Sequence, residues 1–387
     1  MILPTTSRAE LPAPSAAALA QSAALAAEIR AAIDGAGGWL DFARYMELTL
    51  YAPGLGYYSA GSTKLGAAGD FVTAPELSSA LGTALAVTLD AELRALRAGT
   101  VLELGAGSGA LAAQLLAAFA KLGRDVRYQI LEPSADLRER QRVALRAFGE
   151  RVQWLDSLPA APWGGVVVAN EVLDALPVAL FEKVAGAART RGVVRAGDGF
   201  CFGESRALPG VAAAVAALEA QLGRALPDGY RSEVSLVMPA WLAALGASLE
   251  RGSVLLVDYG LVRTEYYHEQ RANGTFMCHY RHRAHDDPFL YPGLQDLTAW
   301  VDFGACAAAA AAVGFDVAGF TTQGQYLVNA LVALPASLAP ALASPRSRHA
   351  LQTLVLPGEM GERFKVLLLR KGVAGPALPG RDLRHRL

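Results

Sequence analysis

Carboxylates and glycines at the ends of apolar runs are the residues of this chain best placed to do chemistry. Gly105, Gly107 and Gly109 alternate directly after Val101-Leu102-Glu103-Leu104 and before an alanine-rich stretch. This order reads as strand, tight turn and helix, where a nucleotide-type ligand lies in a doubly wound sheet. Glycine suits the turn because the backbone bends sharply and no Cβ holds a ligand away. Glu132 ends a second apolar run, Ile130-Leu131-Glu132-Pro133-Ser134. An acid there accepts hydrogen bonds from a ribose diol. Ala169-Asn170-Glu171-Val172-Leu173-Asp174 ends a later run, at the carboxyl edge where open α/β sheets bind ligands.

Gly105, Gly107 and Ala110 also satisfy the dinucleotide pattern, so the glycines alone do not name the ligand. Glu103 tips the balance. A pyrophosphate beside its carboxylate would cost about 1–4 kcal/mol at contact distance. S-adenosylmethionine (SAM) has no phosphate and carries a sulfonium and an ammonium that favour a nearby carboxylate. On these residues a dinucleotide, or a turn with no ligand, stays open. The expected cofactor contacts are Glu103, Gly105, Ala106, Gly107, Ser108, Gly109, Glu132, Pro133, Ser134 and Asn170. Asp156 is a candidate for the adenine amino group, or an ordinary loop or cap aspartate.

Asn170 and Glu171 are expected to face the methyl donor, with Asp174 one helical turn beyond Asn170. The plain alternative is that Asn170 caps a short helix. A second polar concentration holds His279, His282, His285, Asp286 and Asp287. His279 and His282 have a helical metal spacing, yet glycines and prolines make the stretch a loop, and its arginines oppose a cation. A substrate or gating loop is the preferred reading, a plain solvated loop the alternative, and no metal is expected. Neither a nucleophile elbow, a P-loop nor a zinc-protease motif occurs.

Alternating strands and helices from about residue 96 predict a parallel sheet covered on both faces. Residues 1–95 read as a tail and a mostly helical cap, and 96–180 as the first part of the core. Residues 181–235 read as an inserted α+β segment with a hairpin near Gly192–Phe202. Residues 236–387 complete the core, with a long polar loop over 261–300 and late strands near 315–322 and 364–370. The 387 residues are 53% hydrophobic with net charge −1, enough for a large core and unlike a nucleic-acid-coating surface. Cys201, Cys278 and Cys306 fit neither a disulfide framework nor a zinc spacing. With no secretory pattern and no stretch resembling a membrane span, these features predict a soluble, cytoplasmic protein. Monomer and homodimer are both open.

From Tyr51 to Lys371 the chain resembles the MidA-like (DUF185) family of SAM-dependent methyltransferases. The resemblance is carried by Gly56-Tyr57-Tyr58, Gly69-Asp70-Phe71-Val72-Thr73-Ala74-Pro75-Glu76 and the glycine loop. Asn170–Pro177, Val257-Asp258-Tyr259-Gly260, Gly293–Phe303 and Gly358–Leu367 complete it. It implies a Rossmann-like class I sheet of seven strands, SAM as cofactor, and a protein substrate. The family includes a mitochondrial protein arginine methyltransferase needed for respiratory complex I assembly, so arginine on a complex I subunit is the implied target. Glu171 and Asp174, with Asn170, are the implied catalytic residues; Glu359 and Asp302 stand behind them. Asp70, Glu76, Tyr57 and Tyr58 are expected to line the cap over the cofactor. A SAM-binding assembly chaperone and a nicotinamide-dependent oxidoreductase are the alternatives. Trp300 stands where the family commonly has histidine, and Ser79–Thr83 departs from the usual Gln-x-Phe-Gly-Glu pattern.

Overall fold

The computed structural model describes residues 11–60, 73–342 and 345–387. Its centre is a sheet of seven strands: β1 (Thr100–Leu104), β2 (Arg127–Leu131), β3 (Val152–Leu155), β4 (Trp163–Asn170), β5 (Leu249–Leu261), β6 (Asp316–Thr322) and β7 (Phe364–Lys371). Their spatial order is β6-β7-β5-β4-β1-β2-β3, with Val301–Asp302 added parallel to the end of β5. Strands β1 to β5 pair in parallel, and β7 runs antiparallel to both β5 and β6. This is the doubly wound Rossmann-like sheet that the alternating pattern predicts.

Strand sequence dictates which face each residue serves. Val101, Val166, Val168 and Leu255 pack into one buried cluster with Leu85, Leu115 and Phe119 from helices Ala80–Leu96 and Ala110–Lys121. Their neighbours Leu102, Val167 and Val254 pack on the opposite face with Leu242, Cys306 and Ala310 from helices Met238–Ser248 and Phe303–Ala312. The two-residue period of a strand therefore feeds both layers, which is why these runs are continuously apolar. The strand order reverses between β1 and β4, opening a crevice at their carboxyl ends.

A second body sits over that crevice. Leu40–Asp41 pairs with Gly192–Ala196, which forms a hairpin with Gly199–Phe202. Leu25, Ile29, Phe42 and Tyr45 from the N-terminal part share a core with Leu180 and Val193 from the inserted part, and with Cys278 and Leu297. Helix Ala16–Gly35 is, by length and composition alone, long and apolar enough to cross a membrane, a test that the core helix of a soluble protein also passes. Its Leu25, Ile29 and Ile33 are buried in the described structure.

The stretch read as a long polar loop is different. Met277–Tyr280, Arg283–His285 and Asp296–Thr298 form a three-stranded antiparallel sheet. These strands have three or four residues each, and Met277, Cys278, His279 and Tyr280 alternate half-buried with buried. Runs that short, interleaved with histidine and arginine, leave no apolar window for sequence reading to register.

Candidate active site

Two cavities meet at the carboxyl edge of the sheet. The first, of about 470 Å³, is lined by Glu103–Ser108, Glu132, Pro133, Asp156 and Asn170–Val172, with Tyr51, Tyr58, Thr73 and Pro75 from the cap side. The second, of about 330 Å³, is lined by Tyr259, Arg271, Thr275, His279, Asp296, Thr298, Trp300, Glu359, Arg363 and Phe364, among others. Glu171 and Asp174 line both. Sequence spacing brought those two acids together on one turn; their position at a junction comes from the fold.

Local backbone geometry explains the first cavity. Gly105, Gly107 and Gly109 all have positive φ, at 64°, 54° and 81°. A Cβ on Gly105 would also stand 3.0 Å from Val172. These are conformations that side chains other than glycine adopt only with strain. Glu132 is buried, and its carboxylate accepts from the Gly107 N–H at 3.3 Å and the Ser134 N–H at 3.1 Å. Gln141, which sequence reading overlooked, donates its amide to the Gly107 carbonyl at 2.9 Å and to Glu132 at 3.2 Å. Burial raises the Glu132 carboxyl, and these donors pull it back.

Three expected contacts are placed differently from the sequence expectation. Glu103 is buried and accepts the Tyr128 hydroxyl at 2.6 Å; burial pushes its carboxyl up to about 7. The Asp156 side chain is 93% exposed and ion-paired to Arg138 at 2.6 Å, so it lies at the cavity margin and already has a partner. Ser134 caps helix Ala135–Leu145, accepting from the Leu137 N–H. Asp70 lies outside the described residues. Glu76 closes a capping box with Thr73. Tyr58 stacks on Tyr51 and donates to Asp296 at 3.0 Å, whereas Tyr57 is buried in the cap core.

The first cavity carries Glu103, Glu132, Asp156, Glu171 and Asp174, and no Lys or Arg among its described lining. A phosphate-bearing ligand would meet five carboxylates and no cationic side chain among that lining, whereas a sulfonium and an ammonium would find partners. The Oδ1 atoms of Asn170 and Asp174 are buried without a hydrogen-bond partner. Such orphaned acceptors suit a cationic ligand. The residues present fit SAM.

At the junction, Glu171 adopts φ +54°, unusual for a residue with a side chain. Its N–H donates to the Val257 carbonyl at 2.9 Å. Asp258, buried at the end of β5, accepts from the N–H groups of Val172, Leu173 and Asp174 at 3.1, 2.8 and 3.3 Å. Thus Asp258, not Asn170, caps this turn, and Asn170 is left to donate to Glu171 at 2.9 Å. From sequence, Asp258 and Tyr259 stand out only within the Val257–Gly260 segment, without individual roles. Their signal was the same as that of Glu171: a polar pair ending an apolar strand.

Burial, and then the charge of Asp174, push the Glu171 carboxyl up to about 8. Asp174 is raised to about 6 by burial, opposed by hydrogen bonds from Tyr259 and backbone. Burial drives Asp258 well above the usual range, with Asp174 and Glu171 adding to it. Of the reserve acids, Glu359 lines the second cavity. Asp302 instead caps helix Phe303–Ala312 and pairs with Arg263 at 3.0 Å. Of the three histidines, His279 reaches the second cavity, where burial lowers it to about 4.

Comparison with known proteins agrees with this geometry. Residues 80–321 match a family of S-adenosyl-L-methionine-dependent methyltransferases. A crystal structure of a COG1565 superfamily member from Burkholderia thailandensis, bound to S-adenosyl-homocysteine, superposes with TM-score 0.89 and 45% identity over 98% of this chain and 100% of that one. The Drosophila melanogaster protein arginine methyltransferase NDUFAF7 homolog, mitochondrial, is 30% identical, covering 94% of this chain and 89% of its own. The Homo sapiens protein arginine methyltransferase NDUFAF7, mitochondrial, is 28% identical over 69% of this chain and 64% of its own. These relatives are named mitochondrial, which overturns the cytoplasmic location expected from cysteine usage and the N-terminus. Cysteine usage reports only a reducing milieu, and that is not one compartment. Family membership also removes the nicotinamide alternative. The chain is a member of this family of SAM-dependent methyltransferases.

Proposed function

We propose that this methyltransferase acts on an arginine guanidinium of a protein, held by Glu171 and Asp174. One observation carries the reading: these two acids line both the cofactor cavity and its neighbour. Glu103, the glycine loop, Glu132 and Asn170 would hold SAM, which supplies an electrophilic methyl group on sulfur when bound.

An arginine side chain has a pKa above about 12, so it arrives fully protonated. Glu171 and Asp174 hydrogen-bond its N–H groups and turn one nitrogen toward the junction. As the nitrogen–carbon bond forms, that nitrogen loses a proton, and a carboxylate accepts it. Burial leaves Glu171 largely protonated near neutral pH until a cation arrives beside it. Cationic ligands on both sides would restore the carboxylate where it is needed. Tyr259 bonds to Asp174 and Thr298, fixing the Asp174 side chain. The names of the relatives support an arginine acceptor, and the family resemblance points to a complex I subunit as the protein that carries it.

Incubation with methyl-labelled SAM and a mixture of complex I subunits, followed by mass spectrometry, tests the reading. Label on arginine is expected. Label confined to lysine, carboxylates or small molecules would sink it.

A further inference from the structure

Four carboxylates line the second cavity: Glu171 and Asp174, plus Asp296 and Glu359. So do two arginines, Arg271 and Arg363, and these line that cavity alone, not the cofactor side. Both are half-buried, and neither is ion-paired among the described residues. Arg124, Arg263 and Arg370 are paired with Asp90, Asp302 and Glu92, whereas the half-buried Arg191 also lacks an ion pair among the described residues and lies over the Phe202 ring instead. Arg271 uses its Nε on the Glu265 carbonyl at 3.4 Å and lies 5.6 Å from the centre of the Trp300 ring.

Arg271 has the buried Glu233 as a charged neighbour, but neither guanidinium is directly paired with a carboxylate among the described residues, so each keeps N–H groups that an anionic ligand can satisfy. A bare guanidinium entering this cavity would be attracted at Glu171 and Asp174 and repelled by Arg271 and Arg363. An acceptor with an anionic group beside its guanidinium would satisfy both. Planar guanidinium forks are the donors best matched to a carboxylate.

We infer that the acceptor arginine is accompanied by a carboxylate, received by Arg271 and Arg363 while its guanidinium lies at Glu171 and Asp174. This rests on the arginine reading above. The carboxylate has two sources, a neighbouring Asp or Glu side chain or the end of a chain.

The test uses the full-length enzyme, labelled SAM, and two libraries of seven-residue peptides with central arginine and random flanks. One library ends in a free carboxylate and the other in an amide. Sequencing of the methylated products should show Asp and Glu enriched by about tenfold at a fixed offset in the amide library, the scale of one charged hydrogen bond. A terminal source appears instead as methylation confined to the free-acid library. Arg363→Gln and Arg271→Gln should each reduce the enrichment, and Arg363→Glu should favour Lys or Arg at that offset. These variants should keep wild-type affinity for SAM by calorimetry. Methylated peptides with no acidic preference and no dependence on the terminus overturn the inference and leave the arginine reading standing. SAM binding with no methylated arginine in either library overturns both. The wild-type selection decides the matter even where a variant fails to fold.

Discussion

The two cavities are built in different ways. The cofactor side is built around one local unit, β1, the glycine loop with its helix and the end of β2, all within residues 100–145, and Tyr51, Tyr58, Thr73, Asp156 and Asn170 complete its walls. The acceptor side gathers Asp174, Tyr259, Arg271 to Trp300 and Glu359 to Phe364, from four separate parts of the chain. Glu171 and Asp174 belong to both. A cofactor shared across a family can be held by one local unit. An acceptor pocket built from distant segments is free to vary without disturbing it.

Substitutions on either side should separate two quantities, SAM affinity and turnover. The largest effect is expected for Asp174→Asn, which keeps shape but removes the charge beside the acceptor. Turnover in a labelled-methyl assay should fall by about 10²–10⁴, the usual worth of a positioned proton acceptor, while SAM affinity changes little. Equal losses in both would mean that the acid serves the cofactor.

On the other side, Gly105→Ala forces a side chain into φ +64°, with its Cβ 3.0 Å from Val172. A strain of roughly 1–2 kcal/mol should weaken SAM binding by about tenfold in calorimetry, with KM for the acceptor unchanged at saturating SAM.

Glu171→Gln tests the electrostatics of the junction through stability. The Glu171 pKa is raised in the folded protein, from an ordinary value near 4.5 to about 8. Its contribution is therefore most favourable below the ordinary value and is lost as pH rises through about 8. Glutamine escapes that loss. The variant should match wild type near pH 5 and become more stable by roughly 1–3 kcal/mol toward pH 9, without ligands. Denaturant melts across that range measure it, and a constant difference would contradict the shift.

The smallest effect belongs to Asp156→Ala. With its side chain 93% exposed and bound to Arg138, its loss should change SAM affinity by no more than about twofold.

This difference in construction also decides how much the sequence reveals. The doubly wound sheet is legible because Val166–Val168 and Val254–Val257 are continuous apolar runs, and each feeds both layers. The glycine loop is legible because its geometry is local. Asp258 is not: its task, accepting three N–H groups from the turn after β4, exists only once β5 lies beside β4. The segment 277–298 reads as a loop because its strands are too short for a periodic signal, although Cys278 and Leu297 are fully buried. Asp156 reads as a ligand contact because sequence cannot reveal that Arg138 reaches it. Cap and insert read as separate pieces because the pairing of Leu40–Asp41 with Val193 and Gly192 spans some 150 residues of chain.

The central claim is that Glu171 acts on the acceptor from the boundary of the cofactor cavity. Measuring the SAM dissociation constant and single-turnover methylation rate of Glu171→Gln together, on a confirmed protein substrate, tests it most directly. The account predicts SAM affinity within about threefold of wild type and a methylation rate lowered by about 10² or more. A wild-type rate, or a loss explained entirely by weaker SAM binding, would contradict it.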